Sequence, residues 1–151
     1  MNPYLLSAIE LGPVAVARLI ERIPADRLDV AAEEGRFTPR QVVAHLADWE
    51  PIDRDRILAG VNSPGSTIEP FDEMEMALDH RYEESDPAER CELYLRERRK
   101  TAAVIRGLKS EDWGKSVYHP ERGTLTVGDL CNIVIGHDLY HIEQLTASLG
   151  D

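Results

Sequence analysis

Three of the five histidines have the spacing of metal ligands. His137 and His141 are four residues apart, one turn along a helix, where two imidazoles can reach the same metal ion. On a helical wheel both fall on a stripe with Leu130 and Val134, which predicts that they face the protein interior. His45 shares the apolar face of another predicted helix. Together the three residues predict a three-nitrogen metal site with an open coordination position.

These histidines also have a purely structural explanation. Buried imidazoles can be satisfied by backbone carbonyls or by water. Burying three such rings without partners would cost about 1–3 kcal/mol each, which favours the metal site. The other two histidines, His80 and His119, stand in polar segments and are expected to face solvent.

Two charged residues are candidates for catalytic roles beside the histidines. Asp48 follows His45 by three residues and is expected either to orient that imidazole or a bound water, or to be solvated. Arg98 shares a stripe with apolar residues, so its side chain should aim inward. It would then contact a substrate carboxylate near the metal or extend its head group to solvent, and the second is favoured. Asp138 points away from the histidine stripe, which predicts a structural role. Gln144 is expected to hydrogen-bond near the site or between helices.

Four amphipathic segments must position these residues. Their apolar residues recur at three- and four-residue spacing, which predicts helices. Pro13 is expected to bend the first helix or to interrupt its hydrogen bonds near Ile9, and Pro51 is expected to kink the second. The segments run from Asn2 or Pro3 to Ile23, from Thr38-Pro39 to about Leu58, from Ser85-Asp86-Pro87 to about Leu108, and from Thr126 to Leu149. A short helix is expected within Phe71 to Asp79, and a loop with at most a short strand from Trp113 to Thr124. The pattern predicts an all-α four-helix bundle, formed by one domain over residues 1–151.

Composition excludes several classes of partner. The chain has 151 residues and a formal charge of −11, which argues against binding to nucleic acid or to an anionic membrane. Its apolar runs are shorter than the roughly 20 residues of a membrane span, and residues 1–12 do not resemble a signal peptide. Cys91 and Cys131 lack CxxC spacing and are expected to be reduced thiols, with a single disulfide as the alternative. These features predict a cytoplasmic protein with a small-molecule substrate.

Two segments resemble the DinB-like superfamily. Residues 45–50 read His-Leu-Ala-Asp-Trp-Glu, and residues 136–145 read Gly-His-Asp-Leu-Tyr-His-Ile-Glu-Gln-Leu. Phe37 precedes Thr38-Pro39 where that family often has a tryptophan. The resemblance implies a four-helix bundle with a long crossover connection and a divalent metal held by His45, His137 and His141. Zinc and nickel both suit imidazole ligands.

The resemblance also implies a reaction. Several branches of the family transfer a low-molecular-weight thiol, such as bacillithiol or mycothiol, to an electrophile. A metal-dependent thiol S-transferase is therefore the first hypothesis, with the thiol as cosubstrate. A metal-dependent hydrolase is the second, because a bound metal also activates water. The third is a non-catalytic, stress-associated metal-binding bundle.

A second apolar stripe lies on the fourth predicted helix. Ile135, Leu139 and Ile142 recur at spacings of four and three residues, roughly opposite the histidines. Something must cover such a stripe, and the crossover connection is one candidate. We expect instead that a second copy of the chain covers it in a homodimer.

Overall fold

The computed structural model describes residues 3–150, which form a helical bundle with a small sheet. Short 3-10 turns occupy Ala25–Arg27 and Tyr82–Glu84. The strands are β1 (Ser116–His119) and β2 (Gly123–Thr126). The α-helices are α1 (Leu5–Arg22), α2 (Pro39–Asn62), α3 (Glu73–Asp79), α4 (Pro87–Arg106) and α5 (Val127–Thr146).

Side-chain caps set the starts of the three later long helices. At α2, Thr38 accepts from the backbone N–H of Gln41, and the Gln41 side chain accepts from Thr38 in return. Asp86 caps α4, and Thr126 caps α5 in the same reciprocal way with Asp129. These starts confirm the sequence prediction. The predicted start of the first helix at Asn2 lies outside the described residues.

Each long helix packs against two of the other three. α1 packs against α4 and α5, and α2 packs against the same two helices. The α1–α2 and α4–α5 connections therefore join helices that are diagonal in the bundle. Residues 63–86 connect α2 to α4 and include α3, which makes this the longest connection. The predicted all-α four-helix bundle with a long crossover connection is confirmed.

A β-hairpin occupies the segment predicted as a loop. β1 and β2 are antiparallel, with Ser116 opposite Thr126. Ile68 and Ser66 extend the sheet through two hydrogen bonds of 2.9 Å to the backbone of Tyr118. Because side chains alternate along a strand, His119 points inward and is only 3% exposed. The expectation that His119 faces solvent was therefore wrong.

Two apolar clusters form the core. Between them lies a polar layer, the buried polar groups around Arg98, to which all four long helices contribute. One cluster includes Val16, Leu46, Tyr94 and Leu145, and the other includes Ile9, Ile57, Ala102 and Val134. Both cysteines are buried and free, as expected. Among the described residues, no helix is long and apolar enough to cross a membrane.

Arg98 is the centre of the polar layer. Its Nε donates to Glu50 at 2.8 Å, and its Nη1 and Nη2 donate to the two carboxylate oxygens of Asp138 at 2.6 and 2.8 Å. The remaining N–H groups donate to the Tyr94 hydroxyl at 2.7 Å and the Ile9 carbonyl at 2.8 Å. All five donors are used within the protein.

This arrangement corrects the expectation for Arg98. The side chain is 3% exposed, so its head group does not reach solvent, and no donor remains for a substrate carboxylate. Its partners come from three other helices, which a single helical wheel does not display. Asp138 has the structural role predicted for it.

Pro13 explains why Arg98 reaches the backbone of α1. Proline has no N–H, so the carbonyl of Ile9 loses its partner within the helix. Nη1 of Arg98 replaces that donor, and α1 continues from Leu5 to Arg22.

Gly12 allows Asp138 to approach α1 closely. A Cβ at Gly12 would lie 1.9 Å from Oδ2 of Asp138. The Gly12→Ala variant is therefore expected to displace this carboxylate from Arg98. We expect the free energy of unfolding to fall by about 3 kcal/mol, because a broken buried ion pair leaves an uncompensated charge. Urea denaturation with a chelator present measures this change.

Gly136→Ala is the matched control. Gly136 also lies inside a helix, and a Cβ there meets no atom within 4 Å. Alanine favours the helix, so this variant is expected to gain about 0.5–1 kcal/mol. Equal stabilities for the two variants would contradict the close packing at Gly12.

The second apolar stripe of α5 is partly covered within the chain. Ile135 and Ile142 are half-buried and pack against the two core clusters, whereas Leu139 is 65% exposed. Association of two copies through this stripe stays a prediction. We expect wild-type protein to sediment as a dimer at micromolar concentrations and Leu139→Asp to sediment as a monomer, because a buried carboxylate opposes the contact. A dimeric Leu139→Asp would exclude this stripe as the interface.

Candidate metal centre

The three predicted ligands converge on one point between α2 and α5. His45 comes from the N-terminal half of α2, and His137 and His141 come from successive turns of α5. Nε2 of His137 lies 2.9 Å from Nε2 of His45 and 3.1 Å from Nε2 of His141. Nitrogen ligands at about 2.0–2.1 Å from a tetrahedral ion would lie about 3.3 Å apart. The cluster is therefore close to the geometry of a common metal ion.

Gln144 fixes the proton on His141. Its side-chain N–H donates to the carbonyl of Phe37 at 2.8 Å, which leaves Oε1 facing His141. That oxygen is 3.0 Å from Nδ1 of His141 and can only accept, so Nδ1 carries the proton. Nε2 of His141 then presents a lone pair to the cluster, as a metal ligand must.

Hydrogen bonds between the imidazoles cannot satisfy this cluster. Since Nε2 of His141 is unprotonated, one proton at most lies between the neutral rings of His137 and its two neighbours. At most one of the two short N···N contacts can therefore be a proper hydrogen bond. A cation satisfies all three lone pairs at once, so the residues fit a divalent metal.

Burial keeps the three rings in the form that binds metal. Desolvation lowers the pKa of His45 to about 3 and that of His141 to about 4. Desolvation, together with the neighbouring His141, lowers the pKa of His137 to about 2. All three imidazoles are neutral at pH 7, so protons do not compete with a metal there.

Comparison with known proteins agrees with this architecture. The sequence model of the DinB superfamily matches residues 8–145. The chain belongs to the DinB superfamily. A relative from Oceanobacillus iheyensis, named provisionally as a metal-dependent hydrolase, is 27% identical over 144 residues, which cover 94% of this DinB chain and 82% of the relative.

Solved structures share the fold. YfiT of Bacillus subtilis, which has the same provisional name, is 24% identical to this DinB chain; its structure has a TM-score of 0.88, with 94% of this chain and 82% of YfiT covered. The mycothiol-dependent maleylpyruvate isomerase has a TM-score of 0.74 at 14% identity. Here 93% of this chain is covered but only 59% of the isomerase.

Asp48 belongs to a different contact from the one predicted. Its carboxylate accepts from Nδ1 of His80 at 2.7 Å and from Arg90 of α4 at 2.9 Å. These bonds connect α2 to the crossover segment and to α4, and they occupy both carboxylate oxygens. His80 itself is half-exposed, as predicted. Neither residue belongs to the histidine cluster.

Glu73 is a site residue that the sequence did not reveal. It begins α3, and its Oε2 lies 3.8 Å from Nε2 of His45. No periodicity connects residue 73 with residue 45, so only the folded crossover segment brings them together. Its half-exposed carboxylate therefore lies next to the histidine cluster.

Trp49 and Glu73, which both lie close to His45, line a cavity of 610 Å³. The indole of Trp49 forms part of its wall and contacts the rings of His45 and His137, with centroids 5.1 and 6.1 Å away. Glu73 and Met74 line this cavity and also a smaller one, of 70 Å³, that reaches His141. The start of α3 therefore borders both cavities.

Removing one ligand is expected to remove the metal. Wild-type protein should contain about one divalent ion per chain, and His141→Ala less than a tenth of that, because two imidazoles hold an ion far less firmly than three. Mass-spectrometric metal analysis of the purified proteins makes the comparison. Gln144→Leu should retain the ligands but weaken metal affinity about 10–100-fold, since Nδ1 of His141 loses its acceptor.

His80→Ala is the matched control for metal content. It removes a histidine outside the cluster, so its metal content should equal that of wild type. Equal metal in wild type and His141→Ala would contradict the assignment of the ligands.

Proposed function

We propose that this protein is a metal-dependent enzyme that transfers a low-molecular-weight thiol to an electrophilic small molecule. The observation that carries the proposal is the convergence of three neutral histidine nitrogens next to Trp49 and Glu73, which line a cavity of 610 Å³. A cavity of this size accommodates a small thiol together with its acceptor. Zinc and nickel are the ions that the imidazole ligands favour.

His45, His137 and His141 would hold the ion. Bound there, a divalent metal would supply the positive charge that keeps a thiol in its reactive thiolate form at neutral pH. The three ligands are uncharged, so they leave that charge undiminished.

Glu73 is placed to take the proton that the thiol loses. Its carboxylate is 3.8 Å from Nε2 of His45 and lines the cavity, which lets it exchange that proton with water. Trp49, Phe71 and Met74 provide apolar wall next to it, suited to the uncharged part of an acceptor. These side chains bind and orient, and the carboxylate moves the proton.

The relatives support two reaction classes. The isomerase that shares this fold is mycothiol-dependent by name, which favours thiol chemistry. The two curated relatives are named provisionally as metal-dependent hydrolases, and this favours hydrolysis as a second candidate. Both reactions begin with loss of a proton from a small nucleophile near the metal.

A two-panel assay separates the candidates. Metal-loaded protein is given thiols with a chromogenic electrophile in one panel, and esters and amides without thiol in the other. We expect turnover only in the first panel, a loss of at least about 100-fold in His141→Ala, and a loss of about 10–100-fold in kcat for Glu73→Gln. His80→Ala should retain full activity.

The other outcomes identify the other hypotheses. Turnover of esters or amides without thiol would replace the transferase by a hydrolase. Inactivity of fully metal-loaded protein in both panels would contradict catalysis and favour the metal-binding bundle.

A further inference from the structure

Arg56 is a buried cation whose charge has no full partner. It lies on α2, eleven residues after His45, and lines the 610 Å³ cavity although it is only 7% exposed. Nη2 donates to the carbonyl of Glu69 at 3.1 Å, and Nε has no hydrogen-bond partner among residues 3–150. Nη1 is 3.9 Å from Asp53, beyond hydrogen-bond distance. A buried guanidinium normally has paired donors, so this one lacks an anion.

Asp53 does not supply that anion in full. Burial and the nearby charge of Glu50 raise the pKa of Asp53 to about 7, so this carboxyl group is partly protonated at neutral pH. Arg98, by contrast, is hydrogen-bonded to two carboxylates. The charge of buried Arg98 is therefore neutralised by its neighbours, whereas the charge of buried Arg56 is not, and Arg56 lines the cavity.

Two further donors line the cavity beside Arg56. Nδ1 of His119 accepts from the backbone N–H of Glu121 at 3.2 Å, so the neutral ring carries its proton on Nε2. Arg122 is exposed at the turn between the strands. Burial lowers the pKa of His119, and the positive charges of Arg56 and Arg122 lower it further, as expected for neighbours.

We propose that Arg56, His119 and Arg122 form a carboxylate-binding subsite in the cavity beside the metal centre. Two guanidinium groups and an imidazole N–H provide the donors that a carboxylate accepts. Trp49 lies close to both sites, since its ring centroid is 6.1 Å from that of His137 and 5.7 Å from the guanidinium carbon of Arg56. That the bound carboxylate belongs to a substrate rests on the proposed function, whereas the anion site does not.

The acidic residues of the same cavity do not fill the subsite. Asp72 accepts the backbone N–H groups of Met74 and Glu75 at the start of α3. Glu73 is beside His45. Glu75 and Glu121 are exposed at the rim, where water screens their charge. The buried donors are therefore free for an incoming anion.

Calorimetric titration with succinate tests the subsite directly. The titration uses His141→Ala and chelator-treated wild type, so that no metal can bind the carboxylate. We expect succinate to bind both proteins equally and its uncharged diamide to bind neither. Arg122→Gln should raise the Kd for succinate about 10-fold or more, because a charge-assisted contact is lost.

Control variants distinguish loss of the subsite from loss of the fold. Arg96→Gln removes an exposed arginine of α4 outside this cavity and should leave the Kd unchanged. Arg56→Gln should abolish binding, with circular dichroism as the check that it folds; if it does not fold, Arg122→Gln and His119→Gln decide. Unchanged binding in Arg122→Gln and His119→Gln, no binding by wild type, or at least tenfold tighter binding of inorganic phosphate would overturn the proposal.

Kinetics then identify which substrate bears the carboxylate. In the transferase assay, either the thiol or the electrophile is expected to bind the subsite through a carboxylate. Arg122→Gln should raise the KM for that substrate about 10-fold and leave the KM for the other substrate unchanged. Succinate binding without any transferase activity would leave the subsite standing and contradict the proposed function alone.

Discussion

All four long helices meet at the guanidinium of Arg98. Its partners are a carboxylate from α2, a carboxylate from α5, a hydroxyl from its own helix and a carbonyl of α1. Breaking the hydrogen bonds of a buried charge is costly, so these contacts oppose sliding of the helices past one another. Apolar packing above and below this layer has no such directional contacts.

The same layer positions the metal ligands. Asp138 binds Arg98, and the preceding residue, His137, stands in the histidine cluster. On α2, Glu50 binds Arg98 and the preceding Trp49 packs against His45. Adjacent residues of a helix point about 100° apart. On each helix one residue of the pair can therefore bind Arg98 in the polar layer while its neighbour lies at the histidine cluster. A shift at Arg98 would therefore move the ligands.

Charge is distributed unevenly between surface and interior. The chain has a net charge of −11, yet two arginines are buried between its helices. Arg98 is neutralised by hydrogen-bonded carboxylates, and Arg56 faces a cavity whose rim is acidic. Within that cavity the buried charge of Arg56 attracts an anionic group away from the exposed acidic residues.

The sequence by itself determined the long helices and the pairing of His137 with His141. Capping residues and apolar spacing are local, and His137 and His141 come together through one turn of one helix, so these features follow from near neighbours. Tertiary structure decided the rest. Arg98 meets partners from three other helices, Glu73 reaches His45 through the crossover segment, and strand alternation turns His119 inward beside Arg56. Such contacts join residues far apart in sequence, and their geometry depends on how the helices and strands pack. The periodicity of a single helix does not predict that packing.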